Sequence, residues 1–383
     1  MSERCDVAVV GAGPAGCAAA VVLARAGLRV TVLDRTTFPR TKTCGDAVSN
    51  RAAATIDGMA GRTDALHTVP HAEVHSGAAV FPDGSRVVRH FEGAHAYVVP
   101  RLHLDDLLRR AAEDAGAQVR QGVKVRALTV HGGRIVGVEA DGLTLQSDAV
   151  IAADGPGSLA WGALGLPYRR GRNLAVGITA YHSGIRFGDA AQTTEHYFED
   201  GLLCGYGWVF PEVEGQSNVG VYQRADRFEA RGQSLKQLLA AFIAAHPERF
   251  EGSTQLGRTR QWALPVMSRP WPPAGPGVLA CGDAAYAIDP LSGEGIFQAL
   301  HTGELAGRMT VAALAKRGVD ASVARRYQLR CAATLGATAV TRLVLQETMD
   351  RVVGAGWYRR PWVQQALRRG YGSQAFEVSK RMS

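Results

Sequence analysis

Cys44 and Asp46 are separated only by Gly45 and are preceded by Arg40 and Lys42. A thiol beside cations ionises readily and serves as a nucleophile or proton donor, whereas a thiol sealed in apolar surroundings is inert. Both readings stand for Cys44. Asp46 becomes a general acid if its surroundings strip it of water, and is otherwise a helix cap or an arginine partner. Three further carboxylates close short apolar runs: Asp34 after residues 30–33, Asp154 after 149–153 and Asp283 after 278–281. A carboxylate at a strand end is placed to accept hydrogen bonds from sugar or polyol hydroxyls. Tyr206, Trp208 and Phe210 alternate, so a strand puts them on one face, as a wall for an apolar ligand or as core.

These groups need a scaffold, and the first 35 residues supply one. Residues 7–10 (VAVV) have the β-branched character of a buried parallel strand, and Gly11-Ala12-Gly13-Pro14-Ala15-Gly16 follows at once. A small-residue helical segment (17–26), Gly27, a second β-rich run and then Asp34-Arg35 complete the unit. Strand, glycine turn, helix, strand and acid form a dinucleotide-binding fingerprint. Gly11 allows the tight turn, Gly13 lets backbone approach a pyrophosphate, and Gly16 lets helix lie on strand. The helix N-terminus offers free N–H groups and partial positive charge to that pyrophosphate.

The fingerprint does not separate FAD from NAD, but a later stretch does. Asp283 opens a segment that continues through Asp289-Pro290 to Gly293-Glu294-Gly295-Ile296, where a helix begins. Asp283 can bind a ribityl hydroxyl, and the N–H groups of the two glycines can face the anionic edge of a flavin. Asp154-Gly155 forms a second carboxylate loop near the same crevice.

The chain has 383 residues, 46% hydrophobic and 20% charged, enough for two soluble domains with their own cores. Six scattered cysteines without a CxxC pair indicate neither a zinc site nor a disulfide framework, which fits a reducing cytoplasm. The net charge of +8 is carried mainly by arginine. It suits either a solvated surface or an anionic partner, including a bilayer or an acidic redox protein, and no motif supports nucleic-acid binding. The basic, aromatic stretch 357–362, with Arg368 and Arg369, is read either as a bilayer contact or as a helix packed across an interface. His67, His71 and His75 are four apart, but Pro70 opposes a helix, and strands at that spacing should keep them from forming a compact triad, so no metal is expected.

The remaining pattern places a hairpin at Asp83-Gly84, an amphipathic helix over 101–116, a β-meander over 119–145, antiparallel strands over 172–223, a helix over 235–250 and mostly helix beyond Gly295. The predicted architecture is α/β. A Rossmann-like FAD-binding domain (1–75, 95–165 and 258–310) carries an antiparallel-sheet substrate domain (76–94 and 166–257) and a helical C-terminal segment (311–383).

In this order the three motifs resemble FAD-dependent oxidoreductases with the p-hydroxybenzoate hydroxylase fold. Residues 39–46 (PRTKTCGD), 205–211 (GYGWVFP) and the Gly293–Leu300 stretch are similar to the geranylgeranyl reductase family. The resemblance implies that FAD is held by Gly11, Gly13, Pro14, Ala15, Gly16, Asp34, Arg35, Arg101, Val125, Asp154, Asp283, Pro290, Gly293, Gly295 and Ile296. Cys44 and Gly45 would lie beside the flavin, and Tyr206, Trp208 and Phe210 would line the substrate cavity. It departs at Asp46, where many members carry another small residue, and in the chain's slightly short length.

The expected reaction is reduction of C=C bonds in an apolar isoprenoid or polyketide-like substrate, with hydride from flavin N5 and a proton from a nearby acid such as Cys44 or Asp46. The alternative is a monooxygenase acting on an apolar or aromatic natural product. A flavin halogenase is disfavoured because Tyr206 replaces the first Trp of that family's motif and no lysine lies between Lys42 and Lys124. A non-catalytic flavin-binding protein is the remaining class. Without a second GxGxxG in strand context, NAD(P)H or a protein electron donor would dock only transiently. Peripheral membrane or carrier-protein contact is a further expectation for an otherwise cytoplasmic protein.

Overall fold

The computed structural model describes residues 2–91, 95–187, 191–230, 232–269 and 271–370. The far end of the expected C-terminal helical segment, 371–383, lies outside them. An eight-stranded sheet forms the first layer, in the order Ala274–Gly275, Val278–Ala280, Leu143–Ala152, Ser2–Val10, Val30–Asp34 and Gln118–Gln121, with Val125–His131 and Arg134–Ala140 continuing from Leu143–Ala152. The strands Val278–Ala280, Leu143–Ala152, Ser2–Val10, Val30–Asp34 and Gln118–Gln121 run parallel to one another, while Ala274–Gly275 and Arg134–Ala140 join antiparallel. Val278–Ala280, Val30–Asp34 and residues 7–10 and 149–152 are buried on both faces, which explains their largely apolar sequences, whereas the edge strand Gln118–Gln121 is polar and partly exposed. One face carries the helices Pro14–Arg25, Arg101–Asp114 and Ile296–Leu314.

Gly16 and Gly303 explain how closely those helices dock. A Cβ on Gly16 would lie 1.9 Å from the Gly11 oxygen, and one on Gly303 would lie 2.1 Å from the Ala15 oxygen. Backbone therefore packs on backbone beneath the first helix, and any side chain there would push the fingerprint apart.

A seven-stranded sheet forms the second layer, in the order Thr254–Pro265, Leu174–Ser183, Gln216–Arg224, Gly205–Pro211, Thr193–Tyr197, Ser76–Val80 and Arg86–His90. It is antiparallel except that Thr193–Tyr197 runs parallel to Ser76–Val80, so the expected antiparallel sheet is mixed at that pair. The helix Leu235–Ala245 covers one of its faces. A small antiparallel sheet of Ala47–Val48, Ala96–Val98 and Ala72–Val74 completes the strands. The helices Ala321–Cys331, Ala337–Gly354 and Pro361–Gly370 follow. No described helix is long and apolar enough to cross a membrane.

The 357–362 stretch does two things at once. Tyr358 is buried and stacks on Phe81 with centroids 4.7 Å apart, whereas Trp357 and Trp362 are 48% and 65% exposed.

Candidate active site

The fingerprint residues form the start of the cofactor cradle. Gly11 sits at φ +100° with its missing Cβ aimed 2.4 Å from the Ala153 oxygen, so only glycine turns the chain here. Gly13 caps the helix Pro14–Arg25 with no side-chain hydrogen bond, and Pro14 occupies the first turn. The N–H groups of Ala15 and Gly16 thus face outward without a side-chain cap. A Cβ on Gly13 would meet only Arg40 Nη2, at 3.8 Å, leaving room for a phosphate to approach the backbone.

Asp34 is buried at the end of its strand. Its Oδ1 accepts hydrogen bonds from the Thr36 N–H (2.8 Å) and hydroxyl (2.6 Å), and its Oδ2 accepts one from the Ala12 N–H (2.8 Å). Oδ2 keeps acceptor capacity for a ribose hydroxyl. Arg35 next to it is exposed. Val125 packs with the cluster that includes Val10, Leu33 and Ala152, and the Val123 N–H donates to the Asp34 carbonyl at 2.8 Å.

The later motifs return to the same crevice. Asp154 Oδ2 accepts from the Leu159 N–H (2.8 Å), while its Oδ1 is buried without any partner. A buried carboxylate oxygen left unpaired is costly, so this atom is suited to a ligand hydroxyl. Lys42 Nζ reaches Asp283 Oδ2 at 3.2 Å. Gly295 caps the helix Ile296–Leu314, again without a side chain. Gly293 takes φ +66°, and a Cβ there would stand 3.0 Å from Tyr206 Oη. The Pro290 carbonyl is held by the Tyr222 hydroxyl (3.0 Å) and Gln346 Nε2 (2.7 Å). These uncapped helix ends, the unpartnered Asp154 oxygen and the open Gly13 backbone fit a long anionic dinucleotide, FAD.

Arg101 is buried and grips Asp105 with two hydrogen bonds, Nε to Oδ1 at 2.7 Å and Nη2 to Oδ2 at 2.9 Å. Arg40 joins the same carboxylate at 2.8 Å. Burial opposes the Arg101 charge, yet Asp105 and the Cys44 sulfur beside it hold it more firmly charged than usual.

The thiol of Cys44 corrects one sequence expectation. Arg40 and Lys42 pair with Asp105 and Asp283, and the Lys42 pull on the thiol is weaker than the effect of burial. Burial instead raises its pKa, against the pull of Arg101 and of the Asp46 backbone N–H, and Cys44 is a neutral thiol at pH 7. It remains partly exposed.

Asp46 is fully buried at φ +61°. It caps the helix Arg101–Asp114 from outside the helix, and among the described residues no guanidinium hydrogen-bonds to it. Its Oδ1 accepts the Arg101 backbone N–H (3.2 Å), and its Oδ2 accepts the Tyr181 hydroxyl (2.5 Å) and Asn218 Nδ2 (2.7 Å). Asn218 uses every polar position it has. Its other Nδ2 hydrogen bond goes to the Cys44 carbonyl (2.9 Å), and its Oδ1 accepts Thr179 Oγ1 (2.7 Å) and Trp208 Nε1 (2.9 Å).

Glu212 completes a carboxyl pair with Asp46. Burial, then the Asp46 charge, pushes its pKa up to about 9. Burial raises Asp46 as well. Asp46 has three donors to stabilise its charge and Glu212 has only Asp46, so the shared proton rests on Glu212.

The register of the second sheet assembles this group. Trp208 lies opposite Gly220, Phe210 opposite Asn218, and Tyr206 opposite Tyr222, while Tyr181 pairs with Asn218 on the next strand. Residues 206, 208, 210 and 212 share one face, so Glu212 continues the aromatic alternation two positions further. The three aromatics are not an open wall. They are 5–7% exposed and pack with Tyr222, Val266 and Ile288. Phe210 Cε2 and Trp208 Nε1 lie 3.2 and 3.5 Å from the Cβ position of Gly45. Sequence reasoning also missed a narrow recess beside Gly205, where Phe198, Leu202, Leu291 and Met349 meet the polar Glu199, Gln346 and Asp350. His67 and His71 gather with Glu73, while His75 joins Glu73 and His95 instead, so among the described residues no group holds all three.

Residues 4–205 match the family described as FAD binding domain. A menaquinone reductase of Mycolicibacterium smegmatis is 35% identical over 322 residues, covering 81% of this chain and 77% of that protein. A digeranylgeranylglycerophospholipid reductase of Methanopyrus kandleri is 33% identical over 338 residues, 85% of each. A geranylgeranyl bacteriochlorophyll reductase-like crystal structure from Thermoplasma acidophilum superposes with a TM-score of 0.82 at 24% identity, over 92% of this chain and 91% of that one. The flavin-dependent brominase Bmp2 shares the fold at a TM-score of 0.78 and 17% identity, over 96% and 93%. The cradle and these relatives agree: the chain is an FAD-dependent oxidoreductase and belongs to the geranylgeranyl reductase family.

Proposed function

We propose that this enzyme reduces C=C bonds in the isoprenoid chain of an apolar lipid. Bound and reduced, FAD supplies the hydride. Gly11, Gly13, Ala15, Gly16 and Asp34 would hold its adenosine diphosphate half, and Asp154, Asp283, Gly293 and Gly295 its ribityl and ring half. NAD(P)H or an electron-transfer protein would recharge it by transient docking.

The protein's own contribution is a poised proton. Cys44 carries its hydrogen at neutral pH, and the groups that would stabilise its anion, the Arg101 guanidinium and the Asp46 N–H, are already beside it. Cys44 would give its proton to one alkene carbon as the other takes the hydride, so that the substrate gains two hydrogens and the thiol is left as the thiolate. Near the thiol, Glu212 would store a proton above neutral pH beside Asp46, which also accepts the Tyr181 hydroxyl. Such an acid is what saturation of a carbon pair requires. The neutral thiol near a proton-bearing carboxyl pair carries this reading. The buried aromatic strand gives the site an apolar backing beside Cys44 and Gly45. The menaquinone and digeranylgeranylglycerophospholipid reductases among the relatives point to the same substrate class.

The test needs a prenyl compound without a quinone ring, because a quinone would itself oxidise reduced flavin. The FAD enzyme is reduced anaerobically and mixed with a geranylgeranyl lipid, and the product is weighed by mass spectrometry. A gain of two hydrogens with flavin reoxidation supports the proposal. A substrate left untouched without oxygen, then oxygenated when oxygen is admitted, would replace it with the monooxygenase reading.

A further inference from the structure

Beside the small sheet, four histidines converge on one carboxylate, that of Glu73 on its strand Ala72–Val74. His67, His71 and Glu73 offer ligand atoms within 4.8 Å of one another, and so do Glu73, His75 and His95. Glu73 belongs to both groups and uses a different oxygen for each: Oε1 lies 3.6 Å from His67 Nε2, and Oε2 lies 3.5 Å from His75 Nε2. The rings are gathered in pairs, His67 with His71 at 4.8 Å between centroids and His75 with His95 at 4.5 Å.

Two details go beyond proximity. His71 Nδ1 lies 2.9 Å from the Val69 carbonyl. A carbonyl only accepts, so Nδ1 carries the hydrogen and Nε2 is left with a free lone pair. That is the arrangement by which metal-binding histidines are commonly fixed in tautomer and orientation. His75 Nε2 is shielded from solvent and has no hydrogen-bond partner, though it faces Glu73. Four imidazoles stacked around one carboxylate gain little from each other as neutral rings, and would gain much from a shared cation.

We propose that this cluster binds divalent transition-metal ions of the zinc class, in two three-ligand sites bridged by Glu73. Imidazole and carboxylate are the ligands zinc favours, with bonds of about 2.0–2.2 Å and ligand atoms therefore about 3.3 Å apart. Closing from the present separations needs shifts of about 1 Å or a little more, within reach of side-chain rotation. His67 and His95 are exposed and free of core packing. The ions would tie together Ala72–Val74 and Ala96–Val98, whose outer neighbour Ala47–Val48 continues directly from Asp46. The site would thus brace the sheet that anchors the buried acid.

Zinc alone is the probe, titrated calorimetrically into the tag-free, EDTA-treated, FAD-loaded full chain. The expected result is two zinc ions per chain with Kd of about 1 μM or tighter, and a raised Tm. Glu73→Ala should lose both ions, His71→Ala and His95→Ala one each, with the flavin spectrum unchanged as evidence of an intact fold. No binding at about 100-fold higher zinc, or binding that all three variants retain, would overturn the proposal.

Discussion

The buried carboxyl pair makes a thermodynamic prediction that does not depend on knowing the substrate. Glu212 gives up its proton near pH 4.5 when unfolded and holds it to about pH 9 when folded. Between those values the native chain binds a proton that the unfolded chain has released. The stability contribution is therefore complete below about pH 4.5 and is lost as the pH rises toward 9. The loss is about 1.4 kcal/mol per pH unit for one proton. Only the slope enters, so the result holds wherever the folded pKa falls above the measured window.

From pH 6 to pH 8 the wild type should lose about 2.7 kcal/mol relative to Glu212→Gln. With about 2.1 cal/mol/K of unfolding entropy per residue, that is a difference of about 3 °C in Tm. The glutamine amide can still donate to Asp46, so the partner stays ionised in the variant, and all other titrating groups cancel in the comparison. Thermal melts of the FAD-loaded proteins across pH 5.5–8.5 make the measurement. Parallel profiles would mean that Glu212 titrates normally and that no proton is stored near Cys44.

Cys44→Ala should retain FAD but lower the rate of alkene saturation by about 10²-fold or more, the usual range for a lost general acid; an unchanged turnover in single-turnover kinetics would move the acid elsewhere. Gly220→Ala places a Cβ 2.2 Å from Trp208 Cζ2 and 2.4 Å from the Ile178 oxygen. It should cost about 3 kcal/mol or more, read from chemical denaturation, and Trp208→Phe should not rescue it because the backbone clash remains. We also propose that exposed Trp357 and Trp362, beside Arg359 and Arg360, meet an anionic bilayer. Replacing both tryptophans with alanine should weaken cosedimentation with anionic vesicles several-fold, and equal binding would exclude that surface.

Local signals carried the cradle. Gly11, Gly13 and Gly16 each act over a few residues, and the strand, turn and helix around them are set by sequence neighbours, so the cofactor could be read before the fold. The same holds for Gly293 and Gly295 ahead of Ile296. The acid site was legible only in part, because its members meet through strand register. Glu212 was within reach: the alternation of Tyr206, Trp208 and Phe210 passes over Pro211 and lands on it, and an acid on an aromatic face is out of place unless paired. Asn218 was not, since its position opposite Phe210 depends on where the chain turns between the two strands. The histidines show the same limit from the other side. Spacing kept His67, His71 and His75 out of one triad, but it said nothing of His95, which arrives through a strand pairing 20 residues on, or of Glu73, which links the two groups. Periodicity reports which face a side chain takes, and pairing decides which faces meet. Asp46 unites the two cases: the short Cys44-Gly45-Asp46 run put it in view, but only Tyr181, Asn218 and Glu212, brought in from three separate segments, make it part of a proton store as well as a cap.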